Sequence, residues 1–341
     1  MLKEVCEVSS VCGNEYELSN KLYSILQPFN HELITQKSGN LIVHIKGNKS
    51  NRKIMVFTHI DEPGLVINNI DENGFLNFNI VGDIKISDLA SQEVIVSGKR
   101  EILGLIGLRP PHILKEEERK ASVTMDELNI DISFRREESK ELVSKGDTAV
   151  IKRNIKRLKD NIITGRAISD KAGIAILYNA IKEVKDTNDD IYFVFGVQHY
   201  NNYIGSVEAV NFIKPDIALV IDYTEAKSRE KNSISVECGK GPVIYRGPTA
   251  SSNLTEDISK YANHNIIKYQ VNAGSGKNKT DAWAIQISCG GIPTIIMNNP
   301  VKYPNSFVET SNMDDIIEAS KLLIGYICHL ESIDWSDLLC F

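Results

Sequence analysis

Two runs of consecutive apolar residues constrain this chain most. Lys53-Ile54-Met55-Val56-Phe57-Thr58 ends in His59-Ile60-Asp61-Glu62, and Ile217-Ala218-Leu219-Val220-Ile221 ends in Asp222. Runs of this length read as strands, and each carries its polar residues at its end. Between them, Gly165-Arg166-Ala167-Ile168-Ser169-Asp170 leads into a helical pattern at 171–184, followed by a strand at 191–197 and a helix at 206–212. A strand at 293–297 and a closing helix at about 312–330 continue the alternation. Strands alternating with helices predict an α/β fold, a mixed sheet with helices on both faces. Asn312 is placed to cap the last helix, with Asp314 and Asp315 set against its dipole.

Before the first long strand the pattern predicts an amphipathic helix to about Leu26, with Leu18, Leu22 and Ile25 on one face, and then a strand at 41–45. From Gly64 to Lys159 the texture changes to short apolar or alternating runs, such as Phe75-Leu76-Asn77-Phe78 and Ile102-Leu103-Gly104-Leu105-Ile106, divided by turn signals. The economical organisation is one α/β domain, residues 1–64 plus 165–341, interrupted by a small β-rich domain at 65–164.

The 341 residues are 42% hydrophobic and 25% charged, which is ordinary globular composition. A net charge of −6 argues against a nucleic-acid or membrane-surface partner, and no stretch reaches the length of a membrane span. The six cysteines form no Cys-x-x-Cys pair or zinc spacing, and no signal peptide is visible, so free thiols in the cytoplasm are expected. The loop Gly274-Ser275-Gly276-Lys277 lacks the spacing of a phosphate-binding P-loop. Asp61 and Glu62 are adjacent, so on a strand they point to opposite faces and make a poor glycosidase pair.

One imidazole and two carboxylates, His59, Asp170 and Asp222, are a good ligand set for a divalent cation. Two residues apart at a strand end, His59 and Asp61 point to the same side, and Asp61 can hold the far ring nitrogen of a ligating His59. Asp170 either caps its helix or ligates. Asp222 stands beyond the carboxyl end of a strand, where ligands of open α/β sheets gather, or it forms a turn.

All of these positions fall, in order, within local contexts that resemble the tetrahedral (glutamyl, deblocking) aminopeptidase family of co-catalytic metallopeptidases. Cys12-Gly13-Asn14-Glu15 resembles the family's S-G-x-E turn, and Ser38-Gly39-Asn40-Leu41 its D-x-x-G-N-L segment. His59-Ile60-Asp61-Glu62-Pro63-Gly64 is similar to H-x-D-E-I-G, and Gly165 to Gly173 to G-R-A-L-D-D-R-x-G. Pro110-Pro111-His112, Gly146-Asp147, Thr280-Asp281-Ala282 and Lys302-Tyr303 with Ser306 and Glu309 match further motifs. The resemblance implies an inserted PDZ-like or barrel domain that mediates assembly, a homo-oligomer, and short peptides as substrates. It implies Asp170 as the bridge between two metals, with His59 and Asp222 completing one site.

The other site departs from the family pattern. Where the family reads V-Q-E-E-V-G-L-R-G, this chain reads Val197-Gln198-His199-Tyr200-Asn201-Asn202-Tyr203-Ile204-Gly205, so His199 replaces the general base and Tyr200 a ligand. Asn305 stands where R-Y-x-H-S carries the last histidine. One divalent cation is therefore expected (zinc, cobalt or manganese), with the second in doubt. His199 is a substitute base beside Asp61, a fourth ligand, or polar filler. The sequence supports two readings: a divergent metallo-aminopeptidase, or an inactive homologue that binds peptides or co-assembles with an active paralogue.

Overall fold

The computed structural model describes residues 1–49, 52–108, 123–228, 235–275, 280–336 and 338–339. The Pro110-Pro111-His112 turn and the Gly276-Lys277 pair lie outside them. The chain opens with helices α1 (Leu2–Glu7) and α2 (Tyr16–Leu26), the hairpin β1 (Glu32–Thr35) and β2 (Leu41–Ile45), and then β3 (Lys53–His59). Strands β4 (Gly64–Ile70), β5 (Leu76–Val81), β6 (Glu93–Ser97), β7 (Glu101–Gly107) and β8 (Asn129–Asp131) follow, then α3 (Arg136–Leu142) and β9 (Thr148–Ile151). These six strands close into a barrel in the order β4-β5-β8-β7-β6-β9. In β7 the alternation is strict: Ile102 and Ile106 point inward while Leu103 and Leu105 are 52% and 53% exposed.

After β10 (Lys156–Arg157) and β11 (Ile162–Gly165) come α4 (Ile168–Glu183), β12 (Asp190–Gly196), α5 (Ile204–Ile213), β13 (Ile217–Glu225) and β14 (Val243–Arg246). Helix α6 (Ser252–His264), β15 (Gln270–Ala273), α7 (Asp281–Ile287), β16 (Thr294–Val301), β17 (Glu309–Asn312) and α8 (Met313–Ser332) complete the chain. The main sheet has the order β1-β2-β12-β3-β13-β16-β14-β15, with β12, β3, β13 and β16 mutually parallel and β2 and β14 antiparallel to their inner neighbours. It is therefore mixed, as the sequence implies. Two apolar clusters cover its faces, one with α1, α2, α4, α6 and α8, the other with α5 and α7.

Several local expectations are corrected. Leu26, not Ile25, completes the buried stripe of α2 with Leu18 and Leu22. The opening holds an extra short helix and an extra edge strand. Glu32–Thr35 is only half-buried and so carries no apolar signature. Asp170 does not cap α4: the N-cap position is Ala167, in a left-handed conformation, and Asp170 lies inside the first turn. Asn312 does cap α8, accepting from the Asp314 amide at 2.9 Å.

Close packing of α4 on the sheet sets where Asp170 ends up. Gly173 faces Thr58, the residue before His59, and a β-carbon at Gly173 would lie 2.0 Å from Thr58 Oγ1 and 2.9 Å from its Cβ. Only glycine lets the helix approach this far. Gly173→Ala should destabilise the chain by about 1–3 kcal/mol in urea unfolding, and Thr58→Ala in the same background should recover part of that loss. Equal stability of Gly173→Ala and the parent would show that α4 can stand further from β3.

Candidate metal centre

The parallel strands deliver their last residues to one end of the sheet. His59 closes β3 opposite Gly196, and β13 runs on past β3 to present Asp222. Both side chains are buried, as is Asp170 on the first turn of α4. His59 Nε2 lies 4.0 Å from Asp170 Oδ1 and 4.0 Å from Asp222 Oδ1. His59 Nδ1 faces the Asp61 carbonyl oxygen at 3.2 Å and the Asp61 carboxylate at 3.5 Å. The expected carboxylate partner is therefore present, although the main-chain carbonyl is nearer. With the proton on Nδ1, Nε2 keeps its lone pair, and that buried atom has no hydrogen-bond partner.

Burial alone would lower the His59 pKa, but Asp61, Asp170 and Asp222 outweigh it and push it up to about 10. Burial pushes Asp170 up to about 6, against the opposing pull of His59 and Tyr200. The cleft thus demands positive charge. The donors fit a cation in type. Zinc bonds of about 2.0–2.1 Å at tetrahedral angles place donors roughly 3.3–3.5 Å apart, so these three would draw in by about half an ångström.

Around Asp170 the remaining groups are paired with one another. The Tyr200 hydroxyl donates to Asp170 Oδ1 at 2.8 Å, and burial followed by Asp170 keeps that phenol protonated. Asn305 Oδ1 accepts a long 3.4 Å bond from the Tyr223 hydroxyl. Glu309, also buried, accepts from the Ser169 amide at 2.7 Å, the Ser169 hydroxyl at 2.8 Å and the Asn305 amide at 2.9 Å. Burial and the neighbouring Asp170 raise Glu309 to about 8.

His199 follows β12 on a turn in which Gln198, Asn202 and Tyr203 all take left-handed backbone. Its ring stacks on His59 with centroids 4.1 Å apart and planes 17° apart. His199 Nδ1 is 2.7 Å from Asp281 Oδ2, a buried carboxylate at the start of α7. Burial and His59 lower the His199 pKa, yet Asp281 turns the net shift upward. The sequence matched Thr280-Asp281-Ala282 as a motif but gave Asp281 no role. Its only signal was a replacement imidazole some 80 residues away. His199, Tyr200, Tyr203 and Tyr223 line one cavity of about 380 Å³ with Gly82, Asp83 and Asn202.

Among the described residues, one group of three potential ligands has its donor atoms all within 4.8 Å of one another: Cys12, Glu15 and Asp61. It shares only Asp61 with the residues expected from sequence. Glu15 Oε1 accepts the Gly13 and Gln198 amides at 2.9 Å each, and Asp61 Oδ2 accepts the Tyr200 amide at 3.1 Å. Burial and then Asp61 hold the Cys12 thiol strongly protonated. These contacts tie the turn at 12–15 to the loop that carries His199.

Glu62 faces away from His59, into a buried network. Arg166 Nε is 2.9 Å and Lys171 Nζ 2.8 Å from its carboxylate, and the Ser10 amide donates at 3.0 Å. Burial would raise the Glu62 pKa, but Arg166 and Lys171 lower it below its ordinary value. A depressed carboxylate stabilises the fold above its unfolded pKa, and that contribution is lost as pH falls through the folded value. Glu62→Gln should cost roughly 3–5 kcal/mol at pH 7 by leaving Lys171 unpaired, with the gap from the parent closing in acid. Urea unfolding at several pH values measures both.

A mixed α/β sheet flanked by helices, with a small closed barrel inserted, defines a zinc-peptidase-like architecture. The chain belongs to the M42 glutamyl aminopeptidase family, whose sequence profile matches residues 39–322. It is 33% identical over 333 residues to a protein of Acetivibrio thermocellus whose name assigns it to the aminopeptidases, covering 96% of this chain and 98% of that one. It superposes with a TM-score of 0.91 on the TET aminopeptidase of a marine-sediment Thaumarchaeota archaeon, at 27% identity, covering 99% and 96% of the two chains. The TET1 peptidase of Pyrococcus horikoshii, which can assemble into a tetrahedron or a large octahedral shell, matches at TM-score 0.84 and 29% identity over 96% and 98%.

Proposed function

We propose that this chain is a divergent metallo-aminopeptidase that removes N-terminal residues from short peptides with a single divalent cation held by His59, Asp170 and Asp222. The observation that carries this reading is the buried, partnerless Nε2 of His59, with an aspartate oxygen 4.0 Å away on either side. A cation there supplies Lewis acidity, polarising a peptide carbonyl and acidifying a water molecule. Zinc, cobalt and manganese all suit one imidazole and two carboxylates.

The chain's own residues do the rest. Asp61 orients His59 through Nδ1. Asp281 accepts a hydrogen bond from the Nδ1–H of His199, which leaves the opposite ring nitrogen as the base in place of the family's glutamate. Tyr200 and Asn305 replace the ligands of a second cation, and the Tyr200 phenol is engaged with Asp170 instead. The net charge of −6 is unsuited to nucleic acid, and among the described residues no helix is long and apolar enough to cross a membrane. The free cysteines fit the cytoplasm. The exposed Leu103 and Leu105 on the barrel suit a homo-oligomer, a dimer or a larger shell like that of the Pyrococcus relative.

A second reading, an inactive homologue that binds peptides or co-assembles with an active paralogue, is favoured by one observation, the Tyr200–Asp170 hydrogen bond that closes off the second cation position. Elemental analysis and anilide hydrolysis with added zinc, cobalt or manganese separate the two. The first reading expects one cation per chain, lost in His59→Ala. It also expects turnover that survives Tyr200→Phe and falls ~10²–10⁴-fold in His199→Ala with metal content unchanged. Absence of turnover until His199→Glu, Tyr200→Glu and Asn305→His are combined would establish the second.

A further inference from the structure

Three tyrosines, Tyr200, Tyr203 and Tyr223, wall the cavity of about 380 Å³ beside the cation cradle, with His199 and, from the barrel, Asp83. Tyr200 and Tyr203 lie on the turn after β12, and Tyr223 follows Asp222 directly on β13. The Tyr200 and Tyr203 rings stand at 82° and 76° to the His199 ring, with centroids 4.9 and 5.1 Å away, so they meet it at steep angles rather than stacking on it. Hydrogen bonds to Asp170 and Asn305 fix the Tyr200 and Tyr223 rings in place. A cavity of this size suits a small ligand group rather than a folded partner.

The cavity is electrically one-sided. Among the described residues no lysine or arginine lines it. Burial, followed by Asp281, Asp222 and Asp83, raises the Tyr203 phenol above its ordinary range, so carboxylates from three separate segments act on this one wall. His199 does not offset them. Its Nδ1 lies 2.7 Å from Asp281 Oδ2, and that pair is neutral at most. A positive group gains from such a field, and each tyrosine ring adds the negative face of its quadrupole to anything cationic within about 6 Å of its centroid.

An aminopeptidase must hold the free ammonium of its substrate close to the carbonyl it cleaves, because a single α-carbon separates the two. The cavity adjoins the cradle closely enough: Tyr200 bonds Asp170 at 2.8 Å, and His199 stacks on His59 with centroids 4.1 Å apart. We propose that this cavity binds the free ammonium group of a peptide, held among the rings of Tyr200, Tyr203 and Tyr223, and that these rings recognise the substrate's N-terminus. The assignment rests on the aminopeptidase reading for the identity of the amine, whereas the pocket itself needs no bound cation.

Calorimetric titration of the full chain, stripped of metal, with Ala-Ala-Ala and with N-acetyl-Ala-Ala-Ala tests the site in the absence of turnover. The free-amine peptide should bind at least ~10-fold more tightly. Tyr203→Leu and Tyr223→Leu should each weaken it about 3–10-fold and leave the affinity for the acetylated peptide unchanged, whereas Tyr203→Phe, which keeps the ring, should stay within about 2-fold of the parent. Unfolding midpoints check that each variant folds, and the half-buried Tyr203 carries the comparison should Tyr223→Leu not fold. Equal affinity of the parent for the two peptides overturns the proposal, as does parent-like binding by Tyr203→Leu. Preference for the free amine without any anilide hydrolysis supports the site and removes the catalytic reading. Anilide hydrolysis with an unchanged KM in both leucine variants overturns the site and leaves the catalytic reading standing.

Discussion

Three carboxylates, Asp61, Asp170 and Asp222, converge on one imidazole in a place almost without water. That concentration of negative charge is the constraint from which the rest of the centre follows. Burial of that charge is offset by holding a proton more tightly, and it pushes His59 up to about 10 and Asp170 up to about 6. The raised basicity of His59 and its bare Nε2 are two aspects of the same electrostatic demand. The same Asp170 and Asp222 carboxylates that raise the His59 pKa also face its Nε2.

The neighbouring volume answers the opposite question, how a protein closes a charged position. Tyr200 brings a proton that it does not give up, Asn305 brings no charge at all, and Glu309 is pinned by amides and a hydroxyl. The Tyr200 phenol donates to Asp170 and so satisfies a buried acceptor without adding charge. These contacts run from Tyr200 through Asp170, Ser169 and Glu309 to Asn305, while His199 is held separately by Asp281.

Long parallel strands and the polar residues at their ends were legible because uninterrupted apolar runs are visible in one dimension. His59, Asp170 and Asp222 do converge, and the short alternating segments pointed to a β-rich insert, which closes into a barrel. What stayed hidden depends on contacts between distant segments. Asp281 matters only because α7 carries it to His199, and nothing in the local pattern around residue 281 says so. The edge strand Glu32–Thr35 escaped because an edge need not be apolar. Asp170 looks like a helix cap in sequence, since the left-handed turn at Ala167 that moves the true helix start upstream has no glycine to announce it.

The barrel is spliced into the chain at a telling place. It departs directly after His59-Ile60-Asp61-Glu62 and returns, through β11, to the turn that launches Asp170. At the junction Gly64 lies so near Val11 that an added β-carbon would sit 2.4 Å from its side chain, and Phe307 crosses over to pack in the barrel's own core. Both legs of the insert thus adjoin the segments that carry His59 and Asp170. The insert and the cleft share their connecting segments, and the packing of one borders directly on the residues of the other.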